Sequence, residues 1–130
     1  MKTFATILIA LSLIVLSCGP QSTNEKRVLD AEKFEIKLQE ETDKIILDVR
    51  TPDEFASGHI AGAILMNVKD PDFRERIQTL DTSKAVFVYC SAGVRSAKAS
   101  SILNESGFNE VYHLEDGLEG WNAAGKDLVK

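Results

Sequence analysis

Cysteine is almost missing from this chain. Cys18 and Cys90 are the only two in 130 residues, too few for the multi-bridge framework that staples small secreted folds. Histidine is as scarce: neither His59 nor His113 has a partner at ligand spacing, so a metal site has little support and none is expected. No basic run occurs, and the formal charge is −5. An acidic chain of this kind is a poor candidate for binding nucleic acid. Internal repeats and low-complexity blocks are absent too. The longest uncharged apolar run, Phe4 to Leu16, falls short of the roughly 20 residues that a transmembrane helix needs.

What precedes that run and follows it gives it a different meaning. Lys2 supplies a basic start, and Ser17-Cys18-Gly19 supplies small residues at the end, the layout of a secretory signal. Val15-Leu16-Ser17-Cys18 resembles a bacterial lipobox. The resemblance implies that residues 1–17 are removed, that Cys18 is lipidated, and that the protein sits in the bacterial cell envelope, lipid-anchored and facing the periplasm or the exterior. Residues 18–26, polar with Gly and Pro, read as a tether. A single domain over 27–125 and a short tail over 126–130 complete the division. Lys2 is the only charged residue lost, so 14 basic side chains remain against 20 acidic ones, a formal charge of −6. With so acidic a domain, membrane attachment rests on the lipid alone. Cys90 is then the only free thiol, and a lone thiol in an oxidising compartment is a liability unless it is buried or used.

From residue 27 on, short strands alternate with helices. Strands are expected at 27–29, 44–49, 63–68, 84–89 and 110–114. Helices are expected after the caps Asp30 and Thr51, from Pro71 to Leu80, over 94–106 with Gly107 as its stop, and over 118–124. This order predicts an α/β fold, an open parallel sheet of about five strands with helices on both faces. The reactive site of such a sheet lies beyond the carboxyl ends of its strands. "DVRTP" after the second strand and "CSAGVRS" after the fourth both meet that description and are expected to be neighbours.

The second of these loops reads as chemistry. A sulfur nucleophile must be thiolate, and helix N-termini and cations lower a thiol's pKa. Ser91, Ala92 and Gly93 are small, and Gly93 permits backbone angles that other residues resist, so successive N–H groups can turn toward an anion. The helix beginning near Val94 adds its positive end, and Arg95 is expected to add a full charge that keeps Cys90 ionised. A buried structural cysteine would give no reason for such a cradle.

Three stretches together, "LDVRTPDEFASGHIAGAILMNV", "VYCSAGVRSAKAS" and "GFNEVYHLEDGLEGW", resemble a single-domain rhodanese, the sulfurtransferase family. The carrying motifs are C-x-x-G-x-R, D-V-R and E-F-x-x-G-H-I-x-G-A, in family order across about residues 27 to 125. The resemblance implies a rhodanese-like fold with an active loop running from Cys90 to Arg95. It implies a Cys90 persulfide that takes a sulfane sulfur from a donor such as thiosulfate or a persulfide and passes it to cyanide or a thiol. Its partners are therefore a small sulfur-containing donor and a thiol acceptor, and it needs no cofactor. Ser91, Ala92, Gly93, Val94 and Arg95 would bind substrate, with Asp48 and Arg50 in support. Related phosphatases carry C-x5-R; here four residues separate Cys90 from Arg95, a cradle suited to one sulfur rather than a phosphoryl group. A module that carries persulfide to a partner without turnover is the main rival. Where the family often has Gly-Gly, this chain has Asp116-Gly117 after Glu115, which is expected to place a carboxylate near the pocket rim.

The remaining candidates divide between site and scaffold. Asp48 is expected to bond near the active loop, or else to form a structural pair with Arg50; Arg50 is expected to pair with Glu54 or to line the pocket. His59 is a possible base, although thiolate attack on a sulfane sulfur needs none. Trp121 reads as core or pocket wall, and Lys98 as solvated.

Overall fold

The computed structural model describes residues 27–130; the signal, Cys18 and tether readings concern residues that lie outside these. The expected alternation is present. The order is β1 (Val28–Leu29), α1 (Ala31–Glu40), β2 (Lys44–Asp48), α2 (Pro52–Ser57), β3 (Ile64–Leu65), α3 (Phe73–Ile77), β4 (Ala85–Tyr89), α4 (Val94–Glu105), β5 (Val111–Leu114) and α5 (Gly117–Ala123). The strands form one sheet in the order β1-β5-β4-β2-β3, with every pairing parallel.

β4 is the central strand, and every one of its residues is buried. A strand covered on both faces must be apolar throughout rather than alternating, and "AVFVY" is. Val86, Val88 and Cys90 pack with Phe73 and Ile77 of α3 and Ala99, Ile102 and Leu103 of α4. Ala85, Phe87 and Tyr89 point the other way, toward Phe34 and Leu38 of α1 and Leu118 and Trp121 of α5. The helices therefore cover both faces, and Trp121 is core: its ring meets Phe34 edge-on at 6.3 Å. No helix among the described residues is long and apolar enough to cross a membrane.

Two elements are shorter than the sequence suggests. Only Ile64–Leu65 of the 63–68 run forms a strand, because β2 ends at Asp48 and leaves little edge to pair with. Met66 and Val68 still donate to the carbonyls of Asp48 and Val49, at 2.9 and 3.2 Å. Pro71 does not begin a helix: it lies in a turn in which Phe73 N donates to Asp70 O, and α3 spans five residues. Segment 126–130 is packed rather than trailing. Val129 bridges His59, Trp121 Nε1 donates to Asp127 O at 2.9 Å, and Lys126 pairs with Glu32 and Glu35.

Candidate active site

Parallel register carries two strand ends to one edge of the sheet. Asp48 of β2 lies opposite Tyr89 of β4, so the residues that follow, Arg50 and Cys90, leave the sheet side by side. The two loops expected to be neighbours are neighbours.

Cys90 is 1 % exposed, yet its sulfur is ringed by donors. Gly93 N reaches Sγ at 3.1 Å and Ser96 N at 3.4 Å. The thiol in turn donates to Ser96 Oγ at 3.4 Å. Burial alone pushes the thiol pKa up; the Ser96 hydroxyl and the N–H groups of Ser96, Gly93 and Ala92 outweigh it, and the net shift is downward. The thiolate is stabilised by hydrogen bonds within its own loop.

The loop is held in this shape from outside. At the start of α5, Leu118 N donates to Cys90 O at 2.9 Å and Glu119 N to Ser91 O at 3.0 Å. A trans peptide points its N–H opposite to its C=O, so drawing Ser91 O toward α5 turns Ala92 N–H toward the sulfur. Gly93 has φ of 99° and Gly117 has φ of 57°, angles that disfavour any side chain. A Cβ on Gly117 would also lie 2.5 Å from Cys90 O. Asp116 stands at φ of −99°, where glycine is not required, and this is how the chain departs from Gly-Gly without strain. Its side chain is exposed and does not line the cavity beside the loop.

Arg95 reaches Cys90 through space, Glu54 being the largest cause that raises its pKa and the thiolate one of the lesser charges that do so; its direct contacts lie elsewhere. Its Nη1 and Nη2 each donate to a Glu54 oxygen at 2.8 Å, a bidentate pair that neutralises its charge. No hydrogen bond joins it to Cys90; Ser91 Oγ joins the pair instead, donating to Glu54 Oε1 at 2.9 Å. Arg95 thus ties the loop to α2. Glu54, offered by the sequence only as a partner for Arg50, pairs instead with Arg95, a contact that sequence reasoning missed. It completes a capping box with Thr51, and that T-x-x-E spacing is the signal that could have singled it out.

The other candidates fall into place around this. Arg50 pairs with Asp48 rather than Glu54: Nη2 donates to Oδ2 at 2.7 Å and Nε to Oδ1 at 3.0 Å. Its Nη2 also donates to Gly58 O at 2.7 Å. Both side chains are buried, and Asp48 directs its oxygens at Arg50, not at the Cys90 loop. His59 stacks on Phe55 at 3.7 Å and lies 3.0 Å from Phe55 O through Nδ1, a structural role. Val94 is 80 % exposed at the mouth of the loop, and Lys98 is exposed. His113 is buried with Nε2 3.0 Å from Gly93 O. Among the described residues no His, Cys, Asp and Glu cluster that could hold a metal is present. A cavity of about 270 Å³ opens beside Ser91, walled by Arg50, Leu118, Glu119 and Leu128.

The Glu54–Arg95 pair makes a pH prediction. The Arg95 guanidinium holds the Glu54 carboxyl well below the usual carboxylate range, against burial and with help from Thr51 and Ser91. The unfolded chain, with an ordinary pKa near about 4.3, therefore takes up this proton first as pH falls. The pair's stabilisation is complete above the unfolded value and is lost on acidification toward the folded one. Glu54→Gln should lower the thermal midpoint at pH 7, and the gap from the parent should narrow by pH 3. A gap that does not change with pH would refute the assignment.

Comparison with known proteins agrees with this geometry. Residues 30–124 match the family model described as rhodanese-like domain. The rhodanese-related protein of Thermoplasma volcanium superposes with a TM-score of 0.70 at 30 % identity, covering 79 % of this chain and 97 % of that one. A rhodanese-like domain protein of Staphylococcus aureus gives 0.67 at 26 %, covering 80 % and 99 %. Among curated proteins, a tRNA uridine(34) hydroxylase of Chlamydia trachomatis is 34 % identical over 112 residues, 82 % of this chain. The chain spans about a third of that relative's length (34 %). An uncharacterized protein, YqhL, of Bacillus subtilis is 38 % identical over 76 residues, 58 % of this chain and 59 % of that protein. A five-stranded parallel sheet, a cysteine at the end of its central strand and a family match over nearly all the described residues lead to one statement: this chain belongs to the rhodanese-like domain family.

Proposed function

We propose that the chain is a sulfurtransferase that carries a sulfane sulfur on Cys90. The supporting observation is the set of N–H and O–H groups of Gly93 and Ser96 around a buried Sγ, a cradle that favours the ionised sulfur. The Cys90 thiolate attacks the outer sulfur of a donor persulfide R–S–SH. A new S–S bond forms as the donor's S–S bond breaks, leaving Cys90–S–SH and R–S⁻. An acceptor thiolate or cyanide then attacks the outer sulfur and releases Cys90 as thiolate, a two-step covalent transfer. With thiosulfate the leaving group is sulfite.

Charge favours some donors over others. Both arginines beside the loop are engaged by carboxylates. No salt bridge among the described residues reaches the exposed carboxylate of Glu119, which walls the cavity beside the loop. Like charges repel, so a low-charge persulfide suits this rim better than the thiosulfate dianion, and a polyanion such as RNA suits it least.

The test is mass spectrometry of the intact protein after exposure to donor. A gain of about 32 Da, one sulfur atom, is expected on Cys90 and not on Cys90→Ser. Because two oxygens weigh nearly the same, the adduct must also be released by thiol, as a persulfide is and a sulfinate is not. Activity retained in Cys90→Ser would end the proposal. A stable adduct that no acceptor discharges would favour the rival, a persulfide carrier without turnover.

We also propose that Cys18 anchors the protein to the bacterial cell envelope through lipid, on the lipobox resemblance of Val15-Leu16-Ser17-Cys18. Cys18→Ser should move the protein from the membrane to the soluble fraction; unchanged fractionation would count against the anchor.

A further inference from the structure

Ser96 has one hydroxyl proton and two claims on it. Its Oγ lies 3.2 Å from Gly93 O, to which it donates, and 3.4 Å from Cys90 Sγ. While Cys90 is a thiol there is no conflict: the S–H donates to Ser96 Oγ, and Ser96 donates to Gly93 O. When Cys90 ionises, the sulfur becomes an acceptor and the Ser96 proton must turn to it. The Gly93 carbonyl has two lone pairs to fill; Ala97 N takes one at 3.0 Å, and without another donor for the second the Ser96 proton is held where it is. The second lone pair has another claimant. His113 Nε2 lies 3.0 Å from the same Gly93 O. The carbonyl can only accept, so the imidazole carries its proton on Nε2. Burial lowers the His113 pKa, against the opposing effects of the Gly93 bond and Glu115, so near neutral pH the ring is uncharged and still a donor.

We propose that His113 is a positioning residue for the sulfur chemistry. By filling the second lone pair of Gly93 O beside the Ala97 N–H, it frees the single Ser96 proton for the Cys90 thiolate and, in the loaded state, for the persulfide sulfur attached to the loop. It acts through Ser96 and touches no reacting atom. The inference rests on Cys90 working as a thiolate in the proposed transfer, but its test needs no sulfur donor, so the two can fail separately.

Carbamidomethylation of Cys90 in the full chain, followed over pH by mass spectrometry of the Cys90 peptide, reads the thiolate directly. The other charged groups facing the loop are unchanged between variants: Arg95 with Glu54, Arg50 with Asp48, and the Glu115 and Asp116 side chains. His113→Leu should move the alkylation midpoint up by roughly one pH unit, slowing the reaction at neutral pH about tenfold. His113→Gln, which restores an N–H donor, should recover most of the rate. Ser96→Ala should also raise the midpoint, and His113→Leu should then add nothing further. An unchanged midpoint in folded His113→Leu would overturn the proposal, as would an equal shift in the Ser96→Ala background. Should the leucine variant fail to fold, His113→Val, better suited to a strand, takes its place with the same two outcomes.

Discussion

Gly93→Ala should nearly abolish sulfur loading of Cys90 and destabilise the fold at the same time. The reason is backbone, not side-chain chemistry. At φ of 99° an alanine is strained, by about 1–2 kcal/mol. The larger obstacle is that its Cβ would stand 1.9 Å from Glu115 O, and a carbonyl in the β5–α5 connection cannot swing aside as a long side chain would. The loop must therefore back away from β5. Retreat costs three contacts together: the Gly93 N–H on Sγ at 3.1 Å, the His113 contact with Gly93 O, and the N–H alignment imposed by α5. A hydrogen bond to a charged group contributes about 1.5–3 kcal/mol, and each 1.36 kcal/mol is a factor of ten in rate. Loss of at least roughly two orders of magnitude in loading rate follows. Stopped-flow or quenched measurement of persulfide formation, beside a thermal melt, checks both parts. A variant that loads sulfur at the parent rate would show that the N–H cradle is not what activates Cys90.

The same loop shows where a sequence can be read and where it cannot. The apolar 84–89 run, the Thr51 cap with Pro52 behind it, and Gly93 before a helix are local features, each decided by residues within one turn of chain. All of them are legible, and so is the pairing of two strand-end loops, because parallel topology follows from the alternation of elements. The partners of Arg95 were not legible. Glu54 lies 41 positions away, and only the sheet order brings α2 against the start of α4. The Gly93–His113 contact spans 20 positions for the same reason. Of the partners the sequence offered Arg50, Asp48 prevails over Glu54 for a local reason. Glu54 lies four positions further on, as on one face of a helix, but Arg50 precedes the Thr51 cap and is not helical. Asp48, two residues back, already accepts from the Arg50 backbone N–H at 3.0 Å, so the short Asx-type turn delivers the guanidinium to it first.

The Asp48–Arg50 pair is the one with the greatest expected effect on stability. Asp48→Ala should lower the thermal midpoint by at least roughly 12 °C, if the protein folds at all. Asp48 is fully buried and Arg50 is 5 % exposed, so removing the carboxylate leaves a guanidinium with no counter-charge in the interior. Breaking a buried pair in this way costs about 3–5 kcal/mol, against a total stability of about 5–15 kcal/mol for a domain. For a domain of this size each 1 kcal/mol is worth roughly 4 °C or more. The damage should spread from there: Arg50 lies over the Tyr89 ring at 5.8 Å and holds Gly58 O, while the Tyr89 hydroxyl accepts from Ile60 N at 3.0 Å. The second half of the experiment separates a lost contact from an abandoned charge. If the unpaired guanidinium is the cause, Asp48→Ala combined with Arg50→Leu should be more stable than Asp48→Ala alone, because the charge has gone with its partner. If the double variant is less stable than the single one, Arg50 acts chiefly through Gly58 and Tyr89, and the pair's role is to brace the segment that leads from α2 back to the sheet.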